Sequence, residues 1–293
     1  MRQRTIAKKV KGVGIGLHKG NPVEITLEPL EADSGIIFFR ADLNITIEAT
    51  PKNVVDTKMA TVIGKNGAVI STIEHLLSAI YAYGIDNIRI SLNADEVPIM
   101  DGSATSFCML LDEAGIRELD KNRKVLVVKK DIVYKDGDKF VKVIPSKKAL
   151  YNFTIDFNHP IIGKEEYSFE FSRSNYIKEI SKARTFGFLK DVQMLRSMGL
   201  ALGGSLDNAI VLDEKKMLNS DPLRYENEFV RHKILDAIGD LTLLGMPFVG
   251  KYESFAGSHH LNHKLTLAIL NDESNYEIKS FDEKLPELSK VYA

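Results

Sequence analysis

The stretch from Asp221 to Leu244 constrains this chain more than any other. Val230, Ile234, Leu235, Ala237, Ile238 and Leu241 fall on one broad apolar arc at ~100° per residue, the period of an amphipathic helix. Such an arc has to be covered by a sheet or by another helix. Asp221 is placed to cap the helix and Pro222 suits its first turn, which predicts a helix over 222–244. Beside the arc, His232, Asp236 and Asp240 step by four and form a stripe, with Phe229 and Lys233 nearby. An imidazole and a carboxylate at that spacing on a rigid helix can reach one metal ion together. An ordinary His–Asp pair on a solvated face has the same spacing.

A second candidate is Glu74-His75, just inside a helix predicted over 71–83 and closed by Gly84. Ser71 and Glu74 have capping-box spacing, and Gly84 stands where a left-handed C-terminal residue belongs. Adjacent helical residues point ~100° apart, so one can hold a metal while the other reaches the water on it. Capping glutamate and core histidine are the structural alternatives. The third candidate runs from Ala256 to His263, where His259, His260 and His263 gather three of only seven histidines. A glycine-bearing loop there lets a histidine titrate near neutral pH, as a general acid must. Two imidazoles and one carboxylate can bind zinc and leave an open position for water. A second carboxylate then takes the proton, and a cationic histidine stabilises the oxyanion or protonates a leaving amine. The chemistry expected is metal-assisted hydrolysis, with an amide as target.

The lone Cys108 excludes an internal disulfide framework and every multi-cysteine zinc site, leaving His, Asp and Glu as ligands. Lys plus Arg is 39 against 40 Asp plus Glu, so bulk charge gives no reason to expect nucleic acid as a partner. No apolar run nears the ~20 residues of a membrane helix, and no secretory signal follows the basic N-terminus. A cytoplasmic protein without stable membrane insertion is expected. Gly12–Gly20 lacks the third glycine of a dinucleotide fingerprint, and 202–205 lacks the Lys-Ser/Thr of a phosphate loop.

At 293 residues the chain has room for two domains. Alternation predicts strands at 23–28, 35–40 and 87–92, with a second helix over 103–115. The polar run 118–124 is the expected linker. Strands are then expected at 125–133, 139–145, 150–158, 167–171 and 265–270, with helices over 190–197 and 222–244. Two halves with a similar order of elements predict an α+β duplication with a site at the seam.

Several ordered motifs carry a specific resemblance. They are Gly14-Ile-Gly-Leu-His-Lys-Gly20, Ser71-Thr-Ile-Glu-His-Leu76, Gly84-Ile-Asp-Asn87 and Glu96-Val-Pro-Ile-Met-Asp-Gly-Ser103. They continue with Ala183-Arg-Thr-Phe-Gly-Phe188, Leu202-Gly-Gly-Ser205 and Phe229-Val-Arg-His-Lys-Ile-Leu-Asp-Ala-Ile-Gly-Asp240. Across almost its whole length the chain resembles the UDP-3-O-acyl-N-acetylglucosamine deacetylases. The resemblance implies a zinc-dependent hydrolase, with one Zn2+ per chain. It would remove the N-acetyl group of UDP-3-O-(3-hydroxyacyl)-N-acetylglucosamine and release acetate, the committed step of lipid A biosynthesis in Gram-negative bacteria. By the same resemblance His75, His232 and Asp236 are the zinc ligands, and Glu74 is the general base for attack by metal-bound water. His259 is the general acid or oxyanion stabiliser, Thr185 faces the oxyanion, and Asp240 orients a histidine. Lys233 would contact a substrate phosphate, with Phe186 and Thr185 also on the substrate.

The implied fold is two similar sheet-plus-helices domains, 1–120 and 125–293, with the helices between the sheets. An inserted βαβ unit around 190–212 would form an acyl passage, for which Val192, Leu195, Leu200, Leu202 and Leu206 are suitable lining. A UDP-sugar lipid is the expected partner of a monomer. Two other classes compete: a non-catalytic nucleotide-sugar or lipid-carrier binding protein, and a zinc amidase acting on another amide such as a peptide.

Overall fold

Strict alternation of buried and half-buried side chains, as in Ile88, Ile90 and Leu92 against Arg89 and Ser91, builds strands that lay one face on a core. The structure, a computed structural model, describes residues 1–280; residues 281–293, the end of the second expected domain, lie outside the described residues. The first sheet runs Val10–Ile15, Pro22–Pro29, Ile88–Leu92, Ile36–Arg40, Ile45–Glu48. Its strand Ile88–Leu92 is antiparallel to Pro22–Pro29 and parallel to Ile36–Arg40. In the second sheet the corresponding path is Ile132–Asp136, Lys139–Ile144, Phe248–Phe255, Ala149–Asp156, Lys164–Glu170. Here Phe248–Phe255 is antiparallel to Lys139–Ile144 and parallel to Ala149–Asp156. Order and direction are the same in both. Two hairpins flank a late strand inserted between them, so the α+β duplication expected from element order is present strand by strand.

Among the described residues the helices are α1 (Glu74–Ala82), α2 (Thr105–Ala114), α3 (Arg173–Glu179), α4 (Leu189–Ser197), α5 (Glu228–Thr242) and α6 (His259–Leu270). Helix α1 precedes the inserted strand of the first sheet, and α5 that of the second. The two helices pack on each other between the sheets. Every residue of α1 is buried, as its apolar composition requires. Gly239 of α5 permits the contact: a Cβ there would lie 2.0 Å from the carbonyl oxygen of Glu74. The helices therefore touch backbone to backbone at the residue that precedes His75. No helix among the described residues is long and apolar enough to cross a membrane.

Five local expectations are corrected. Helix α1 starts at Glu74 and forms no capping box, because Ser71 is held extended in a bridge to Glu96. The run 118–124 is no linker: Ile116–Asn122 is a strand antiparallel to Arg2–Ile6, polar because Leu119 alone of its side chains is buried. The strand expected at 125–133 is two strands, Lys124–Val128 and Ile132–Asp136. Helix α5 begins at Glu228, not near Pro222. The buried carboxylate of Glu228 accepts bonds from Arg184 and from the Arg224 backbone N–H, which folds 221–227 around it. The strand expected at 265–270 belongs to α6, which Ser258 caps by accepting the Leu261 N–H and which buries Leu261, Leu265 and Ile269 at helical spacing.

Candidate metal centre

Because α1 and α5 meet at Glu74 and Gly239, the side chains of His75, His232 and Asp236 converge between them. The three residues are buried and offer ligand atoms within 4.8 Å of one another. Asp236 Oδ1 lies 3.3 Å from His232 Nε2 and 3.5 Å from His75 Nε2, and the two imidazoles stand edge to face, centroids 4.9 Å apart. His232 Nδ1–H donates to the Ala183 carbonyl at 3.0 Å, a bond that turns the Nε2 lone pair toward Asp236. Burial lowers the His232 pKa to about 3, so the imidazole is neutral and free to act as a ligand. Burial works against ionisation of Asp236, yet the Lys233 ammonium, 2.9 Å from Oδ2, holds its pKa well below the usual range.

A buried carboxylate oxygen without a hydrogen bond is costly, and Asp236 Oδ1 has no hydrogen-bond partner among the described residues. A cation among Oδ1 and the two imidazole nitrogens removes that cost. Two His and one Asp is also the N/O donor set of an open zinc site. The residues present fit a zinc ion.

Two ionisable groups face this triad. Glu74 Oε2 accepts the Thr61 backbone N–H at 3.1 Å, while Oε1 lies 3.7 Å from His259 Nε2. The other ring nitrogen, His259 Nδ1, donates to Asp240 Oδ2 at 2.9 Å. Asn262 Nδ2 donates to the same oxygen at 2.8 Å, and the Thr61 hydroxyl donates to Asp240 Oδ1 at 2.6 Å. Of the two neighbouring histidines His259 therefore enters the site. His260 is exposed, 3.3 Å from the Thr57 hydroxyl. The histidines lie in the first turns of α6 rather than in a loop.

A profile of the UDP-3-O-acyl N-acetylglycosamine deacetylases matches residues 3–271. The chain belongs to that family. It is 64% identical to the UDP-3-O-acyl-N-acetylglucosamine deacetylase of Campylobacter fetus subsp. fetus, over all of both chains. It is 68% identical to the enzyme of that name from Nitratiruptor sp., over 95% of this chain and 93% of the relative. The one from Sulfurimonas denitrificans is 63% identical, again over all of both chains.

Next to the centre of this deacetylase-family chain is a cavity of about 860 Å³ whose walls include Thr185, Phe186, Lys233, Val192, Leu195 and Leu206. The Phe186 ring stands 6.4 Å from that of His232 and 5.0 Å from that of Phe229, so one wall of the cavity rests against a metal-ligand candidate. Leu200 and Leu202 are outside the lining, and Leu202 is exposed. The outer wall is a βαβ unit, the parallel strands Phe186–Phe188 and Ile210–Leu212 with α4 between them. No residue of α4 is buried, so the helix does not serve as core. The two glycine-rich stretches meet beside the cavity. Leu202 N–H bonds the His18 carbonyl and Gly203 N–H the Leu17 carbonyl, both at 3.0 Å. A Cβ on Gly203 would lie 2.2 Å from the Gly16 carbonyl oxygen, which is why glycine is required there.

Thr61 and Asn262 carry no pattern that sequence reading could use, since single Thr and Asn residues occur everywhere. Their position around Asp240 is visible only in the fold.

Proposed function

We propose that this chain is a zinc-dependent deacetylase that hydrolyses the N-acetyl amide of UDP-3-O-(3-hydroxyacyl)-N-acetylglucosamine. The reaction releases acetate and commits the sugar to lipid A in the cytoplasm of a Gram-negative bacterium. The observation that carries this reading is the buried His75–His232–Asp236 group, with its unbonded carboxylate oxygen, flanked by Glu74 and His259. When bound, zinc supplies Lewis acidity, polarising the amide carbonyl and making water acidic. Glu74 Oε1 takes a proton from water as its oxygen adds to the acetyl carbon. His259 Nε2–H stabilises the negative charge that develops, then gives its proton to the amide nitrogen as the C–N bond breaks. Asp240 holds the opposite ring nitrogen and keeps Nε2 aimed inward. Thr185 faces the oxyanion from the cavity wall. Lys233 and Phe186, on the same wall, bind the substrate phosphate and sugar, and the space bounded by Val192, Leu195 and Leu206 takes the acyl chain.

Acetate release from the acylated UDP-sugar tests this reading. The purified chain should be active, and Glu74→Gln should lose roughly 10²- to 10⁴-fold in turnover while it retains its metal. Near-normal turnover in that variant would place the base elsewhere.

A further inference from the structure

Thr61 is 1% exposed and sits immediately before the strand Val62–Lys65. Each of its polar groups is engaged by the supports of the metal centre. Its N–H donates to Glu74 Oε2 at 3.1 Å, and its carbonyl accepts the Ile73 N–H at 3.5 Å, just ahead of α1. Its hydroxyl donates to Asp240 Oδ1 at 2.6 Å. Glu74 belongs to α1 and Asp240 to α5, so one residue ties together the two carboxylates between which the His259 ring is suspended.

We propose that Thr61 is a positioning residue for the deacetylation: its hydroxyl fixes the Asp240 carboxylate, and through it the ring of His259, while its N–H occupies Glu74 Oε2 and leaves Oε1 to the reacting water. The inference rests on Glu74 and His259 being the base and acid of the proposed reaction. A carboxylate is free to turn about its Cβ–Cγ bond unless both oxygens are held. Asp240 Oδ2 already serves His259 and Asn262, so Oδ1 is the oxygen that decides the angle, and Thr61 is the donor the structure places on it. Without the hydroxyl a buried carboxylate oxygen is unpaired and the group turns to find a donor. The imidazole follows. Valine at this position keeps the branched shape and the peptide N–H, so Glu74, the metal ligands and the cavity are left as they were. The loss should fall on turnover and not on substrate binding.

The test compares wild type, Thr61→Val, Thr61→Ser, Asp240→Asn and the Thr61→Val/Asp240→Asn double variant. It follows kcat, KM, zinc per chain and melting temperature. Thr61→Val should lower kcat roughly 10- to 100-fold, the scale of losing a partner that orients a site residue, with KM and zinc content unchanged. Thr61→Ser should recover most of the turnover, and Thr61→Val should add nothing once Asp240→Asn is present. The inference is overturned if Thr61→Val stays within about twofold of wild type, or if its loss appears in KM. Loss of zinc or of the folded state in Thr61→Val, equal impairment in Thr61→Ser, or additive losses in the double variant would also overturn it, by assigning Thr61 to the fold. An active wild type with a normal Thr61→Val removes this inference alone, whereas a wild type that releases no acetate removes the deacetylase reading with it.

Discussion

Burial pushes the Glu74 carboxyl above its usual range, even with His259 and His75 beside it. For His259 burial acts the other way, but the carboxylates of Asp240 and Glu74 outweigh it and hold the imidazole up to about 10. A base has to be ionised and an acid protonated. Rate should therefore rise with pH as Glu74 ionises, above the ordinary ~4.3 of a glutamate, and fall only as His259 loses its proton, above the ordinary ~6.5. The groups are 3.7 Å apart, so the two limbs describe the pair. Asp240→Asn removes the strongest upward pull on His259, and the basic limb of a kcat/KM profile should move to lower pH. A basic limb that stays in place would show that another group sets it. At this scale much of the site was legible. The histidine cluster stood out as an unusual grouping, whereas His232, Asp236 and Asp240 at spacing four and Glu74-His75 each had an ordinary structural alternative until the family resemblance supplied their roles. Thr61 and Asn262 were not visible, since what distinguishes them is contact across the fold.

Among the elements, α1 and α5 carry the site because they can approach to backbone contact, and Gly239 sets that distance. Gly239→Ala inserts a methyl into the Glu74 carbonyl and forces the helices apart. It should cost roughly 1–3 kcal/mol in denaturant unfolding, the usual scale of overpacking, and weaken metal binding as His75 moves from Asp236. An unchanged unfolding midpoint with full zinc content would mean that the contact is not tight. Local reading failed where a longer-range bond overrode propensity. The spacing of Ser71 and Glu74 fitted a capping box, but the Ser71–Glu96 bridge and the Thr61 N–H claimed the two residues separately. Leu265–Leu270 looked like a short apolar strand because such a run carries no period of its own. The Ser258 cap and the buried face through Leu261 make it a helix. In 116–122 a strand whose side chains are open on both faces apart from Leu119 was indistinguishable from a linker by polarity.

Across the whole molecule, duplicated sheets enclose paired helices, and the βαβ unit adds a wall that belongs to neither repeat. The order of elements predicted the duplication, whereas the matching parallel and antiparallel pairings had to be seen. Which leucines line the cavity could not be read from a helix as open as α4. Leu195 lines it and Leu200 does not. Since each buried CH₂ is worth ~0.8 kcal/mol, a long acyl chain held there contributes several kcal/mol to binding. Leu195→Asp should raise KM for a long-acyl substrate and leave a short-acyl one nearly unchanged, with Leu200→Asp as a tolerated control. Equal losses on both substrates would point to a structural role for Leu195. On the proposed reading, deacetylation requires a zinc ion held by His75, His232 and Asp236. Metal content measured alongside acetate release, before and after chelation, tests it most directly. One zinc per chain is predicted, with activity lost on its removal, restored by a single equivalent, and absent together with the metal in His232→Ala. Full deacetylase activity in the metal-free chain would contradict it.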